Sequence, residues 1–163
     1  MLHQCYFLVV PHMPVRNFAP PSKHARILLV DDNAHGLSAR RTVLEELGHR
    51  IGTASSGVEA LEQFAHHKFD LVVTDYKMPR MDGLELISRL RKQAPELPII
   101  LISGYVDSLG LSEGRTGADV VIQKSANEVS HLVRSVARLL RRKPGKKPAA
   151  SEVSAVKTKR KTV

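Results

Sequence analysis

The sequence has one cysteine, Cys5, and no tryptophan. A lone thiol excludes an internal disulfide framework and any metal site built from several cysteines, and it fits a reducing cytoplasm. Aromatic residues make up only 4% of the chain, and the basic C-terminal segment has none to form a platform on which bases stack. No apolar run approaches the ~20 residues that a membrane helix needs, so no membrane span is expected. The apolar stretch Cys5–Val10 lacks a basic segment before it and meets Pro11 at once, which argues against a secretory signal. The histidines are scattered, with His66-His67 expected at a solvent-facing helix end, and no zinc-ligand spacing, helix-turn-helix or internal repeat is present.

With 42% hydrophobic and 25% charged residues over 163 positions, the chain fits one globular domain with extensions. The net charge of +9 suggests nucleic acid until it is located. Residues 1–23 contribute +2, residues 141–163 contribute +8, and the segment between them is −1. Residues 1–23 hold Pro11, Pro14, Pro20 and Pro21 and read as an irregular arm, with Met13 as a second candidate start. Residues 143–163 have too few large apolar side chains to offset the entropy of ordering, and read as a disordered basic tail. Such a tail is a solubilising extension, or a weak, non-specific binder of polyanions with affinity of order 10⁻⁴–10⁻⁶ M.

Between the arms, at 24–142, short apolar runs alternate with helical patterns. Ile27–Val30, Leu71–Val73, Ile99–Ile102 and Val120–Ile122 are nearly uninterrupted, as in parallel strands buried on both faces. Arg50–Ala54 is a weaker strand suited to an edge. Helical spacing links Leu37, Val43, Leu44 and Leu47; Val58, Leu61, Phe64 and Ala65; Leu84, Ile87 and Leu90; and the stripe Val129, Leu132, Val133, Val136, Leu139 and Leu140. Gly110, Gly114 and Gly117 break the fourth helical segment, each at ~1 kcal/mol relative to alanine. Five β-α units predict an α/β fold, a doubly wound five-stranded parallel sheet of order 2-1-3-4-5, with ligands at the carboxyl ends of the strands.

Those ends carry Asp31-Asp32-Asn33, Thr74-Asp75, Ser103-Gly104 and Gln123-Lys124. Taken singly, the acids suit helix caps and turns, and Lys124 suits a strand-end charge reaching for water. Together they meet in one crevice. Two carboxylates ~4 Å apart repel by ~4 kcal/mol at an effective dielectric of 20, and three make three such pairs. A domain is stable by only ~5–15 kcal/mol, so a cation must relieve the cluster. Oxygen ligands with room for water suit magnesium, and an aspartate can act as a nucleophile toward phosphorus.

The run Asp75-Tyr-Lys-Met-Pro-Arg-Met-Asp-Gly83, with Asp31-Asp32 before it and Ser103 and Lys124 after it, resembles the phosphoacceptor segment of bacterial response regulator receiver domains. The resemblance covers roughly residues 25–140 and implies the flavodoxin-like receiver fold. It implies that Asp75 accepts a phosphoryl group from a sensor histidine kinase or histidine phosphotransfer protein. It further implies that Asp31, Asp32, Asp75 and the backbone carbonyl of Lys77 hold Mg2+, and that Ser103 and Lys124 contact the phosphoryl group. The chain is then expected to be a cytoplasmic, stand-alone signalling protein, with no turnover of an external substrate, acting by contact on an unknown downstream protein target.

Two positions depart from the family pattern. Val121 stands where an aromatic switch residue is usual, and Ser125 follows the lysine in place of proline. A non-proline cis bond costs ~2.5–4 kcal/mol, so a trans bond is expected there. The glycine-broken segment Asp107–Gly117, the fifth strand and the helix from Ala126 form the expected responsive face. Lys77 and Tyr105, each two residues beyond a site residue, are expected to flank the approach of water to a phosphorylated Asp75. A flavodoxin-like cofactor carrier would need a glycine-rich loop after the first strand, where this chain has acids. An aspartate-nucleophile phosphatase would need a cap insertion of which there is no sign. A polyanion-binding protein acting through its tail is the remaining alternative.

Overall fold

The computed structural model describes residues 24–141; the expected N-terminal arm and basic tail lie outside the described residues. The elements alternate as β1 (Arg26–Val30), α1 (Ala34–Glu46), β2 (Arg50–Ala54), α2 (Gly57–His66), β3 (Leu71–Asp75), α3 (Gly83–Gln93), β4 (Ile99–Ser103), α4 (Val106–Leu109), α5 (Glu113–Thr116), β5 (Val120–Gln123) and α6 (Glu128–Arg141). The five strands are all parallel in the order β2-β1-β3-β4-β5, as expected. The weak strand β2 lies at an edge and is partly exposed along most of its length.

Side chains of a strand alternate between its two faces, and the core divides accordingly. Leu28, Val30, Val72, Ile99 and Leu101 pack with Leu86, Ile87 and Leu90 of α3. Ile27, Leu29, Leu71, Val73, Ile100 and Ile102 pack with Leu44 of α1 and with Leu132, Val136 and Leu139 of α6. Leu47, Val58 and Val129, read from sequence as part of the apolar stripes, are instead exposed. Each sits at a helix end, beyond the packed layer. Gly110 and Gly117 adopt φ of 58° and 72° and end two four-residue helices, α4 and α5, where four longer helices surround them in the chain order. That is the left-handed conformation in which glycine carries little penalty. No cis peptide bond occurs among the described residues, so the bond after Lys124 is trans.

Between α1 and β2, His49 is 9% exposed and its Nδ1 has no hydrogen-bond partner among the described residues. Burial, helped by the nearby His24, holds this imidazole below its ordinary value of 6.5. A lowered folded value means that the unfolded chain binds the extra proton. His49 therefore subtracts nothing well above pH 6.5, and stability is lost as pH falls below 6.5 toward the folded value. Urea unfolding measured between about pH 7.5 and 5.5 is expected to show this loss, and His49→Gln to reduce it. Identical pH slopes for the two proteins would contradict the assignment.

Candidate functional site

Strand register gathers the polar ends. Val30 pairs with Thr74, Asp75 with Ile102, and Ser103 with Gln123, so Asp31, Asp75, Ser103 and Lys124 emerge at one end of the sheet. All four, with Asp32, Lys77 and Tyr105, line one open cleft. The structure thus brings together every site residue named from the sequence.

Asp31 and Asp75 are 2% and 5% exposed, whereas Asp32 reaches solvent. Carboxylate oxygens of the three lie within 4.8 Å of one another, the only such His/Cys/Asp/Glu cluster among the described residues. Neither Asp31 nor Asp32 caps α1. That role belongs to Asn33, whose Oδ1 accepts from the amides of His35 (3.0 Å) and Gly36 (3.2 Å). The acids are therefore not explained by helix capping.

Asp75 Oδ2 accepts from the Lys77 amide at 3.2 Å, and Lys124 Nζ lies 2.6 Å from Oδ1. The latter is an ion pair by distance, but its angles do not make a hydrogen bond, and Oδ1 is left buried with no aligned donor. Burial pushes the Asp75 carboxyl above its ordinary range; the pairing with Lys124 opposes this, while the charge of Asp31 adds to it. An ionised Asp75 is thus short of positive charge, and a hard divalent cation sharing the three carboxylates would supply it. The donor set fits magnesium: oxygen ligands only, with one side open to water.

The loop after β3 returns tightly. Asp82 caps α3 by accepting from the Glu85 amide at 2.8 Å, and Gly83 donates its own amide to the Tyr76 carbonyl at 2.8 Å. A Cβ on Gly83 would lie 2.3 Å from the backbone oxygen of Asp75, closer than any real contact. Arg80 takes a left-handed φ of 67° within this loop. Opposite, Ser103 is buried and its Oγ accepts from the Tyr105 amide at 3.0 Å. Lys77 Nζ sits 5.7 Å from the Tyr105 ring centroid, so these two side chains meet across the mouth of the cleft. Val121 is half-buried against the α3 side of the core, and Ser125 is exposed.

Two charged residues at the site were missed in the sequence. Arg40 of α1 is buried, with Nη1 2.5 Å from Asp31 Oδ2 and Nε 2.7 Å from Glu128 Oε1 of α6. Burial works against its charge, but the hydrogen bonds to Glu128 and Asp31 outweigh it and hold the guanidinium above its ordinary value. The signal was the position of Arg40, three residues after Leu37 and four before Leu44, in an otherwise apolar stripe.

A family model described as the response regulator receiver domain matches residues 27–137. Among curated proteins, the gliding motility regulatory protein of Myxococcus xanthus is 32% identical over 124 residues, covering 74% of this chain and 16% of that one. Response regulator MprA of a Mycobacterium species is 36% identical over 125 residues, covering 76% of this chain and 54% of that one. The chain thus spans only part of these relatives' length. Among solved structures, response regulator TrrA of Thermotoga maritima, in complex with Mg(2+)-BeF, is 37% identical with a TM-score of 0.63, covering 71% of this chain and 98% of that one. Chemotaxis response regulator CheY4 of Vibrio cholerae is 27% identical with a TM-score of 0.65, covering 72% and 99%.

The contact at Gly83 yields a direct test of the loop. Gly83→Ala should lower unfolding stability by about 1–3 kcal/mol, the range for forcing a methyl group into a packed site. Gly114→Ala, where an added Cβ meets nothing within 4 Å, serves as the control and should be neutral or stabilising. Equal effects of the two substitutions in urea unfolding would refute the close-approach account.

Proposed function

This chain belongs to the response regulator receiver domain family, and on that premise we propose that Asp75 is its phosphoacceptor in a two-component phosphorelay. The observation that carries the reading is the set of Asp31, Asp32 and Asp75 carboxylates within 4.8 Å, with Lys124 2.6 Å from Asp75. Receiver domains bind Mg2+ at such a pocket. Here Asp31, Asp32, Asp75 and the Lys77 carbonyl would hold it. When bound, the ion supplies positive charge that neutralises phosphoryl oxygens and keeps Asp75 ionised.

In the transfer, an Asp75 carboxylate oxygen attacks the phosphorus of a phosphohistidine on the donor. The new P–O bond forms as the P–N bond breaks, and the donor ring, carrying a proton on its other nitrogen, leaves as neutral imidazole with the electron pair. The product is an acyl phosphate on Asp75. Lys124 is within reach of a phosphoryl oxygen and can exchange its Asp75 partner for it. Ser103 Oγ accepts from the Tyr105 amide, which leaves its hydroxyl proton to donate to a second phosphoryl oxygen. The chain acts as a signalling partner in this step and turns over no external substrate.

The phosphorylated form then acts by contact on a downstream protein through α4, α5, β5 and α6. Support comes from the shortness of α4 and α5 and from the single side-chain tie of Gln123 to Asp107, 3.1 Å, between β5 and α4. Such lightly held elements are the ones that switch.

Treatment with acetyl phosphate should add one phosphoryl mass to the intact protein, with Mg2+ present and not after chelation. Asp75→Ala should remove at least nine-tenths of that uptake. Uptake at the wild-type rate in the variant would overturn the assignment.

The Lys77–Tyr105 contact bears on how long the phosphoryl group persists. Hydrolysis needs a water in line with the bond to Asp75, and this pair covers the mouth from which it would come. Lys77→Asn with Tyr105→Glu opens the mouth and adds a carboxylate that can orient water. Decay of the phosphorylated double variant should be about tenfold faster, a change of ~1.4 kcal/mol in barrier. Unchanged or slower decay would sink the shielding account.

A further inference from the structure

Residues 27, 29 and 31 of β1 and its extension face the α1–α6 layer, as do 71, 73 and 75 of β3. The alternation turns Asp31 and Asp75 toward that layer. Arg40 is the one arginine or lysine buried among the described residues, and it stands there. It divides its guanidinium between two acids of different elements: Asp31 at the metal pocket and Glu128 in the first turn of α6. The backbone makes room for it. Gly36, one turn earlier in α1, would place a Cβ 3.1 Å from both Arg40 Nη1 and Asp31 Oδ2.

We propose that Arg40 is a positioning residue that competes with the divalent cation for Asp31 and, through Glu128, links metal loading to the first turn of α6. The inference rests on the reading of Asp31, Asp32 and Asp75 as a Mg2+ site. Its sign follows from charge. Arg40 donates to Asp31 and lowers the negative charge that Asp31 offers a metal. Glu128 shares the same guanidinium and weakens that hold. A bound ion repels Arg40, which then leans on Glu128 and draws on the start of α6. By linkage, whatever strengthens the Arg40–Glu128 pair strengthens metal binding, and the reverse.

The Mg2+ dissociation constant of the full chain, measured by titration calorimetry with MgCl2, separates this from a structural salt bridge. E128Q keeps an oxygen that can accept from Arg40 but removes the charge that draws it away from Asp31, and should weaken Mg2+ binding about three- to tenfold, although residue 128 is not a metal ligand. R40M removes the competitor and should tighten binding by a similar factor; tenfold corresponds to about 1.4 kcal/mol. The double variant should match R40M, because Glu128 acts only through Arg40. Hydrogen exchange should show Mg2+ altering the first-turn amides of α6 in the wild type and not in R40M.

If the wild type binds Mg2+ but E128Q binds it within twofold of the wild type, the inference is overturned and the metal site stands. If the wild type binds no Mg2+, both fall. Should R40M fail to fold, E128Q alone decides.

Discussion

Three carboxylates are held within 4.8 Å at the ends of parallel strands, two of them almost out of reach of water. The local cations do not balance them. Lys124 pairs with Asp75, Arg40 pairs with both Asp31 and Glu128, and Lys77, which also lines the cleft, lies over the Tyr105 ring instead. At separations near 4 Å each unscreened pair repels by a few kcal/mol, a large share of the stability of a small domain. Burial raises the Asp75 carboxyl above its ordinary range, the charge of Asp31 adds to this, and its Oδ1 is left without an aligned donor. On the proposed reading, the cluster takes a ligand that is positive, hard and oxygen-seeking, beside a nucleophile that must stay ionised.

The surrounding structure serves to hold that arrangement open. The sheet is buried on both faces, which fixes register, and register fixes which side chains stand at the mouth. The Gly83 turn brings the chain back onto Asp75 and sets the loop that carries Lys77. Asn33 takes over the capping of α1, releasing Asp31 and Asp32 from that duty. By contrast, α4 and α5 are only four residues each, and α4 packs beside β5 with Gln123 tied to Asp107.

The strands could be read from sequence because parallel strands buried on both faces leave nearly unbroken apolar runs. The order is the common one for five such units, and it puts the weak Arg50–Ala54 strand, whose partly polar character suits an edge, at one. Asp31, Asp32, Asp75, Ser103 and Lys124 could be read because strand ends are the places where this architecture puts polar groups to use. Arg40 and Glu128 could not be read in the same way. They are 88 residues apart, and a lone arginine in an apolar stripe looks like a side chain that snorkels to water. The close approach at Gly83 was equally hidden, since it depends on how the loop returns and not on local φ. Exposure of Leu47, Val58 and Val129 shows the limit of periodicity, which continues to the helix ends where packing does not.

On the proposed reading, the carboxylate cluster of Asp31, Asp32 and Asp75 binds a divalent cation. Thermal unfolding of the full chain across a range of Mg2+ concentrations, beside NaCl of matched ionic strength, tests it most directly. A specific site predicts a midpoint that keeps rising with the logarithm of Mg2+, equivalent to about 2.7 kcal/mol at a hundredfold excess over the dissociation constant, beyond any effect of NaCl. Matching curves for the two salts would mean that only screening is at work, and would contradict the account.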